Sequence, residues 1–224
     1  MILRVATWNC QHGKPEPEQM GAAAGSLDVD VLAVQEVDRG SRRVDGRDLA
    51  AEAAEAFGGE LVWAPALVLP DGGEYGNALL VRGRVLRSTT FGLPGRRRVE
   101  PRVAAIAEVE AAGRTWTAAA THLTTRRDIS PEQLLALIDE LRGWPAPRVL
   151  LGDLNLEAGA LLPWLTAESY RVALGPLTHS VRRLRRQIDH VAVNGRGCAV
   201  RALEARALPV GDHLALIAEV VAPG

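Results

Sequence analysis

Short apolar runs rich in Val, Ile and Leu recur along the whole chain, and few helical stretches separate them. They fall near residues 2–7, 29–34, 60–66, 77–82, 84–90, 103–110, 114–121, 147–152, 188–193, 198–206 and 214–221. Runs of this length and composition read as buried strands. Helical patterns are confined to 16–25, 47–57 and 131–142. A purely parallel sheet needs a helical crossover between most of its strands. The sparse helices therefore predict two sheets packed face to face with helices outside, an α/β (α+β) arrangement. Ser130 is expected to cap the third helix, with Pro131 at its first position and Leu134, Leu135, Ile138 and Leu141 on one apolar face. The segments 77–91 and 102–122 read as hairpins turning at Arg82-Gly83 and Ala112-Gly113.

Four polar motifs follow such runs: Thr7-Trp8-Asn9, Gln35-Glu36, Gly152-Asp153-Leu154-Asn155 and Gly211-Asp212-His213. They run from one end of the chain to the other with no Ser/Gly/Pro-rich linker between them, so a single domain over 1–224 is expected. Strands from distant parts of the chain would bring carboxylates, amides and imidazoles to one rim, where loops carry function. That is the inventory for holding Mg²⁺ or Mn²⁺ and attacking a phosphate ester.

Each motif also has a plain structural reading. Asn9 can close its strand with an Asx turn, and Glu36 can be a capping or solvated carboxylate. Asp153 and Asn155, two apart and pointing the same way in an extended segment, can form either a turn or a water-positioning pair. Asp189, in Ile188-Asp189-His190, is a carboxylate that could hold one nitrogen of His213 and fix its tautomer. His122, after the run TWTAAAT, is a second imidazole candidate. His190 alternates away from Asp189, and His12 and His179 fall in loops.

With a net charge of −1 the chain exerts no global attraction on a polyanion, so any such attraction must be local. Arginines cluster at 96–98, 126–127 and 182–186, where they can be solvated or can grip phosphate. Only Arg102, beside the strand leading to His122, is carried forward as a candidate. Cys10 and Cys198 form neither a metal-type spacing nor a disulfide framework. No apolar stretch has the length of a membrane span or a signal-peptide core. The expectation is a reduced, cytoplasmic protein with no membrane anchor and no obligate protein partner.

In order along the chain, TWN (7–9), QE (35–36), GNALL (76–80), THL (121–123), GDLN (152–155), IDHV (188–191) and GDH (211–213) resemble the endonuclease/exonuclease/phosphatase superfamily. That group includes deoxyribonuclease I, exonuclease III-type AP endonucleases, sphingomyelinases and inositol-polyphosphate phosphatases. The resemblance implies a four-layer α/β sandwich of two facing mixed sheets with the site at one rim. It implies Glu36 as principal ligand of a divalent metal, helped by Asn9 and Asp212. It further implies Asp153 and Asn155 on the attacking water, and His213, oriented by Asp189, on the transition state. His122 would contact the phosphate from the other side, with Asn77 completing that wall and Arg102 binding phosphate.

There are departures from the family pattern. Asn9 is followed by Cys10-Gln11-His12-Gly13-Lys14, not by a Gly-rich, Arg-containing turn, and Gly211 stands where a Ser is usual. Two Phe and two Tyr give few stacking platforms for a single strand. The expected activity is a metal-dependent phosphodiesterase or nuclease, with a phosphatase or phosphodiesterase of a small metabolite or lipid headgroup as the alternative. A catalytically silent binding module is the remote reading.

Overall fold

The computed structural model describes residues 1–223. Along the chain come β1 (Ile2–Asn9), α1 (Met20–Gly25), β2 (Val31–Arg39), α2 (Leu49–Phe57), β3 (Glu60–Val68) and β4 (Glu74–Val81). Then follow β5 (Arg84–Gly92), β6 (Val103–Ala111), β7 (Arg114–His122), α3 (Ser130–Arg142) and β8 (Arg148–Asp153). The last elements are α4 (Ala158–Ala167), β9 (Tyr170–Val172), β10 (Asp189–Asn194), β11 (Ala199–Arg206) and β12 (Ala215–Val221). Six strands form one sheet in the order β11-β12-β1-β2-β4-β3, and six form the other in the order β5-β6-β7-β8-β10-β9. Both sheets are mixed: β1–β2 and β7–β8 run parallel, and the remaining pairs are antiparallel.

Alternate residues of each central strand enter different apolar layers. In β1, Leu3 and Val5 pack between the sheets, whereas Ala6 and Trp8 face α1 and α2. In β4, Leu79 and Val81 point inward while Ala78 and Leu80 point to the helices. On the other side, Ile106, Leu150 and Ala192 meet Leu134, Leu137 and Leu161 of α3 and α4. Because both faces are covered, these strands read as continuous apolar runs and not as alternating ones. The result is a helix–sheet–sheet–helix sandwich of four layers, as the resemblance implied.

Several local expectations are corrected. The turn at Arg82-Gly83 does not close a hairpin: β4 already has β2 and β3 on its two edges, so β5 crosses to the other sheet and pairs with β6. By contrast, Ala112 (φ 49°) and Gly113 (φ 73°) do turn a hairpin between β6 and β7, with the paired positive φ that a tight hairpin turn favours. Ser130 does not cap α3; Ile129 holds the cap position and the Ser130 hydroxyl is buried without a partner. Gln133 ties down the start of α3 instead, accepting from Thr124 N at 2.9 Å and donating to the Pro94 carbonyl at 2.8 Å. Leu135 is exposed and Leu137 takes its place on the buried face. The segment 16–25 begins as a 3-10 turn over Pro17–Gln19 before α1. Helix α4 and the three-residue β9 were not foreseen. The two cysteines are free and lie in different apolar layers, so no bridge joins them. Among the described residues no helix is long and apolar enough to cross a membrane.

Candidate active site

Strand register brings the polar motifs together. Asp153, the last residue of β8, lies opposite His122 across the parallel pairing with β7 and opposite Asp189 across the antiparallel pairing with β10. Gly152 permits this close approach, since a Cβ there would lie 2.1 Å from the Thr121 carbonyl oxygen. In the facing sheet Asn9 ends β1 beside Gln35, and His213 stands just before β12. Glu36 does not end its strand, as expected from sequence, but sits within β2 at a bulge between Val34 and Val37 with φ 59°. A bulge re-aims a side chain, and the left-handed backbone costs about 1–3 kcal/mol at a non-glycine residue. Such strain is characteristic of functional positions.

Asp153 is the centre of the polar network. Its Oδ2 accepts from Asn9 Nδ2 at 3.2 Å, and that same amide donates to Glu36 Oε1 at 2.9 Å. Asn9 thereby joins the two sheets. His122 Nε2 lies 3.4 Å and His213 Nε2 3.8 Å from Asp153 Oδ2. Asp153 Oδ1 accepts from Asn155 N at 3.0 Å, an Asx turn that carries Asn155 into the left-handed region at φ 50°. Asp153 and Asn155 therefore share a site through this turn and not through an extended segment. The Asn155 amide donates to the Leu123 carbonyl at 3.0 Å and lies 3.2 Å from His122 Nε2.

Behind the centre, His213 Nδ1 donates to Asp189 Oδ2 at 2.8 Å. Asp189 is fully buried, and its Oδ1 has no hydrogen-bond partner. Burial alone would lower the His213 pKa, but the Asp189 hydrogen bond and the charges of Asp189, Asp153 and Asp212 overcome it and raise it to about 9. His213 is thus held as an imidazolium with Nε2–H directed to the Asp153 side. Burial, followed by the nearby Asp189 charge, pushes the Asp153 carboxyl upward, with His213 opposing. Burial and then Arg102 hold His122 well below its ordinary value. Arg102 Nη1 lies 3.0 Å from Nδ1 of this neutral ring and the Asn155 amide nitrogen 3.2 Å from Nε2, so donors face both ring nitrogens.

The donor chemistry fits a hard divalent cation. Burial raises the Glu36 carboxyl, and among the described residues its nearest basic group is His12 Nδ1 at 3.9 Å, with no Lys or Arg in salt-bridge contact. His12 is itself held down to about 4 by burial and then by Arg43, so it does not neutralise Glu36. Asp189 and Asp153 add further buried oxygens. The predicted trio is not a closed cage, however. Asn9 turns its NH₂ toward Glu36 while its oxygen accepts from Gln11 N, so ligation by Asn9 requires the amide to turn. Asp212 belongs with His179 and His213, one of two groups among the described residues whose donor atoms close to within 4.8 Å; the other is Asp153, Asp189 and His213. An open site built on one or two carboxylates suits Mg²⁺, which keeps several waters.

Asn77 stands apart from this network. It is buried on β4 and donates to the Val103 carbonyl at 3.0 Å, an oxygen also taken by Thr121 Oγ1. It bridges the sheets and makes no hydrogen bond to the residues around Asp153. Arg102 does reach the site, linking His122 to Glu100 and lining a cavity of about 240 Å³ beside Glu36. In the arginine clusters, Arg96 and Arg126 are bound to Glu132 and Asp128. His190 faces away, donating from Nε2 to the Leu156 carbonyl at 2.7 Å. The sequence reading left out His12 and His179. His179 packs its ring 4.5 Å from that of His213 and pairs with it through an isolated bridge. Neither histidine follows an apolar run, so periodicity gave no reason to single them out.

Comparison with known proteins bears on the family and the fold. A family model described as "Endonuclease/Exonuclease/phosphatase family" matches residues 6–213. No curated protein matches the sequence significantly. Among solved structures, an endonuclease/exonuclease/phosphatase from Bacteroides vulgatus superposes with a TM-score of 0.77 at 17% identity, covering 99% of each chain. The Bacteroides thetaiotaomicron mannosyl-6-phosphatase Bt3783 gives 0.74 at 17% identity over 98% of this chain and 99% of that one. The human Nocturnin catalytic domain gives 0.72 at 20% identity over 98% and 93%. At these identities the superpositions speak for the fold alone, while the match over residues 6–213 settles the kinship: the chain belongs to the endonuclease/exonuclease/phosphatase family, whose members are in general phosphoester hydrolases.

Proposed function

We propose that the protein is a divalent-metal-dependent phosphoesterase that hydrolyses a P–O bond by direct attack of water, with a phosphodiester as its preferred substrate. The observation that carries this reading is the Asp189–His213 pair facing Asp153, with Asn9 joining Asp153 to Glu36. Asp153 and Asn155 orient the attacking water, and Asp153, its affinity for protons increased by burial, accepts the proton released. The His213 imidazolium, fixed by Asp189, donates from Nε2 to the charge that develops on the phosphoryl oxygens. His122, held neutral, contacts the phosphate from the side opposite His213, and Arg102 adds a positive charge beside it. Glu36, with Asn9 and Asp212 at hand, would hold Mg²⁺ or Mn²⁺, which when bound neutralises phosphate charge and stabilises the leaving oxygen.

A second reading, hydrolysis of a small phosphomonoester, draws on the fold shared with a mannosyl-6-phosphatase. A substrate panel separates the two. It should contain duplex and abasic DNA, RNA, bis-p-nitrophenyl phosphate, sphingomyelin, inositol phosphates and hexose phosphates. The diester reading predicts turnover of nucleic acid or bis-p-nitrophenyl phosphate above that of any monoester; faster release of phosphate from the monoesters would replace it with the second.

A further inference from the structure

A cavity of about 420 Å³ opens beside the Asp153 centre, with Asn155 forming their shared wall. Its volume falls within the roughly 300–1,000 Å³ typical of small-molecule sites. Leu156 supplies an apolar surface, and Trp164 of α4 lines the cavity with 42% of its surface exposed. Trp164 is the one exposed aromatic side chain among the described residues; the other large aromatics are buried or half-buried. Arg127 and Arg186 flank the same cavity, and neither pairs with a carboxylate among the described residues, unlike Arg96, Arg126 and Arg142. Glu157 provides a hydrogen-bond acceptor in the lining. An exposed indole beside two guanidinium groups without carboxylate partners, one of them (Arg186) also 3.5 Å from His179 Nδ1, and an acceptor is complementary to a flat polar ring that carries phosphate.

We propose that this cavity is a nucleobase subsite: the ring of a nucleotide-containing substrate stacks on Trp164, and Arg127 and Arg186 hold a phosphate next to the one presented to Asp153. The assignment rests on the phosphoesterase reading of the Asp153 centre and adds the substrate class, a nucleotide. It also supplies the stacking platform that a count of Phe and Tyr leaves out. Every base has a π-face, so stacking of this kind grips bases without selecting a sequence.

The test is a binding measurement in the presence of Mg²⁺, using the quenching of tryptophan fluorescence together with equilibrium dialysis. The probes are AMP, ribose 5-phosphate as the control without a base, and a single-stranded tetranucleotide. AMP should quench the wild-type protein saturably, and its affinity should fall about tenfold in Trp164→Leu while Trp164→Phe retains most of it. Ribose 5-phosphate should bind more weakly than AMP and equally to wild type and Trp164→Leu, whereas Arg186→Gln should weaken both ligands. If the tetranucleotide depends on Trp164 and binds more tightly than AMP, a strand is the source of the base; the reverse order identifies a free nucleotide, and either supports the subsite. Unchanged AMP affinity in Trp164→Leu, or ribose 5-phosphate binding as tightly as AMP, would overturn it. If the wild-type protein hydrolyses no phosphoester with Mg²⁺ or Mn²⁺ while AMP binding still depends on Trp164, the phosphoesterase reading fails and the subsite stands.

Discussion

At the scale of single residues, the site depends on how buried charges are matched. Under the proposed mechanism, Asp153→Ala removes both the water-orienting oxygen and the acceptor of its proton. General-base groups contribute roughly 10²–10⁴-fold, and a fall in kcat of that size with an unchanged circular dichroism spectrum is expected; near-normal turnover would refute the role. His213 offers a test through pH. Its value is raised to about 9 from an ordinary 6.5, so the stability it contributes is fully present below 6.5 and is lost as pH rises through about 9. Urea unfolding should therefore separate wild type from His213→Gln most widely below about pH 6, with the gap closing on the alkaline side. A gap independent of pH would contradict the Asp189–His213 coupling. Glu36 should show a conflict between stability and function. Glu36→Gln removes a carboxylate that burial disfavours, so Tm without metal should rise while the Mg²⁺ concentration needed for activity increases. An unchanged Mg²⁺ requirement would count against ligation by Glu36.

At the scale of elements, the site depends on where strands end and how close they come. Gly152→Ala would drive a Cβ against the Thr121 carbonyl, so β7 and β8 must separate where they carry His122 and Asp153. The substitution should destabilise the protein by about 1–3 kcal/mol in urea unfolding, as overpacking does, and should lower activity beyond that loss; full activity would show the close approach to be dispensable. The same elements explain what the sequence discloses. β1, β2, β4, β7 and β8 are legible as unbroken apolar runs because both their faces are buried, and the polar residues following them mark the rim. The bulge at Glu36 is not legible, because positive φ at a glutamate is imposed by the surrounding sheet and by no local preference. Helix α4 is concealed by the internal Pro163 and a nearly unbroken apolar composition, and β9 is too short to show a period. The crossing from β4 to β5 follows from β4 having no free edge, a fact of sheet order that no dipeptide encodes.

For the whole molecule, the two sheets contribute different halves of one site: Asn9, Glu36 and His213 from one side, His122, Asp153 and Asp189 from the other. The layer between the sheets, in which Leu79 and Leu151 are fully buried, therefore sets the geometry of the chemistry. Leu79→Ala should cost about 2–5 kcal/mol, and in urea its turnover and near-UV circular dichroism should disappear together at a lower midpoint than in wild type. Activity that vanished well before the packing signal would show that the halves separate independently. The motif order made this gathering legible, whereas the partners His12 and His179 become visible only once the loops are folded over the rim. The most direct measurement is the rate of bis-p-nitrophenyl phosphate hydrolysis by the folded protein as Mg²⁺ or Mn²⁺ is titrated in and then removed by chelator. Saturable activation that the chelator abolishes and Asp153→Ala lacks is the predicted result. Hydrolysis undiminished by chelator, or none with either ion, would contradict the account.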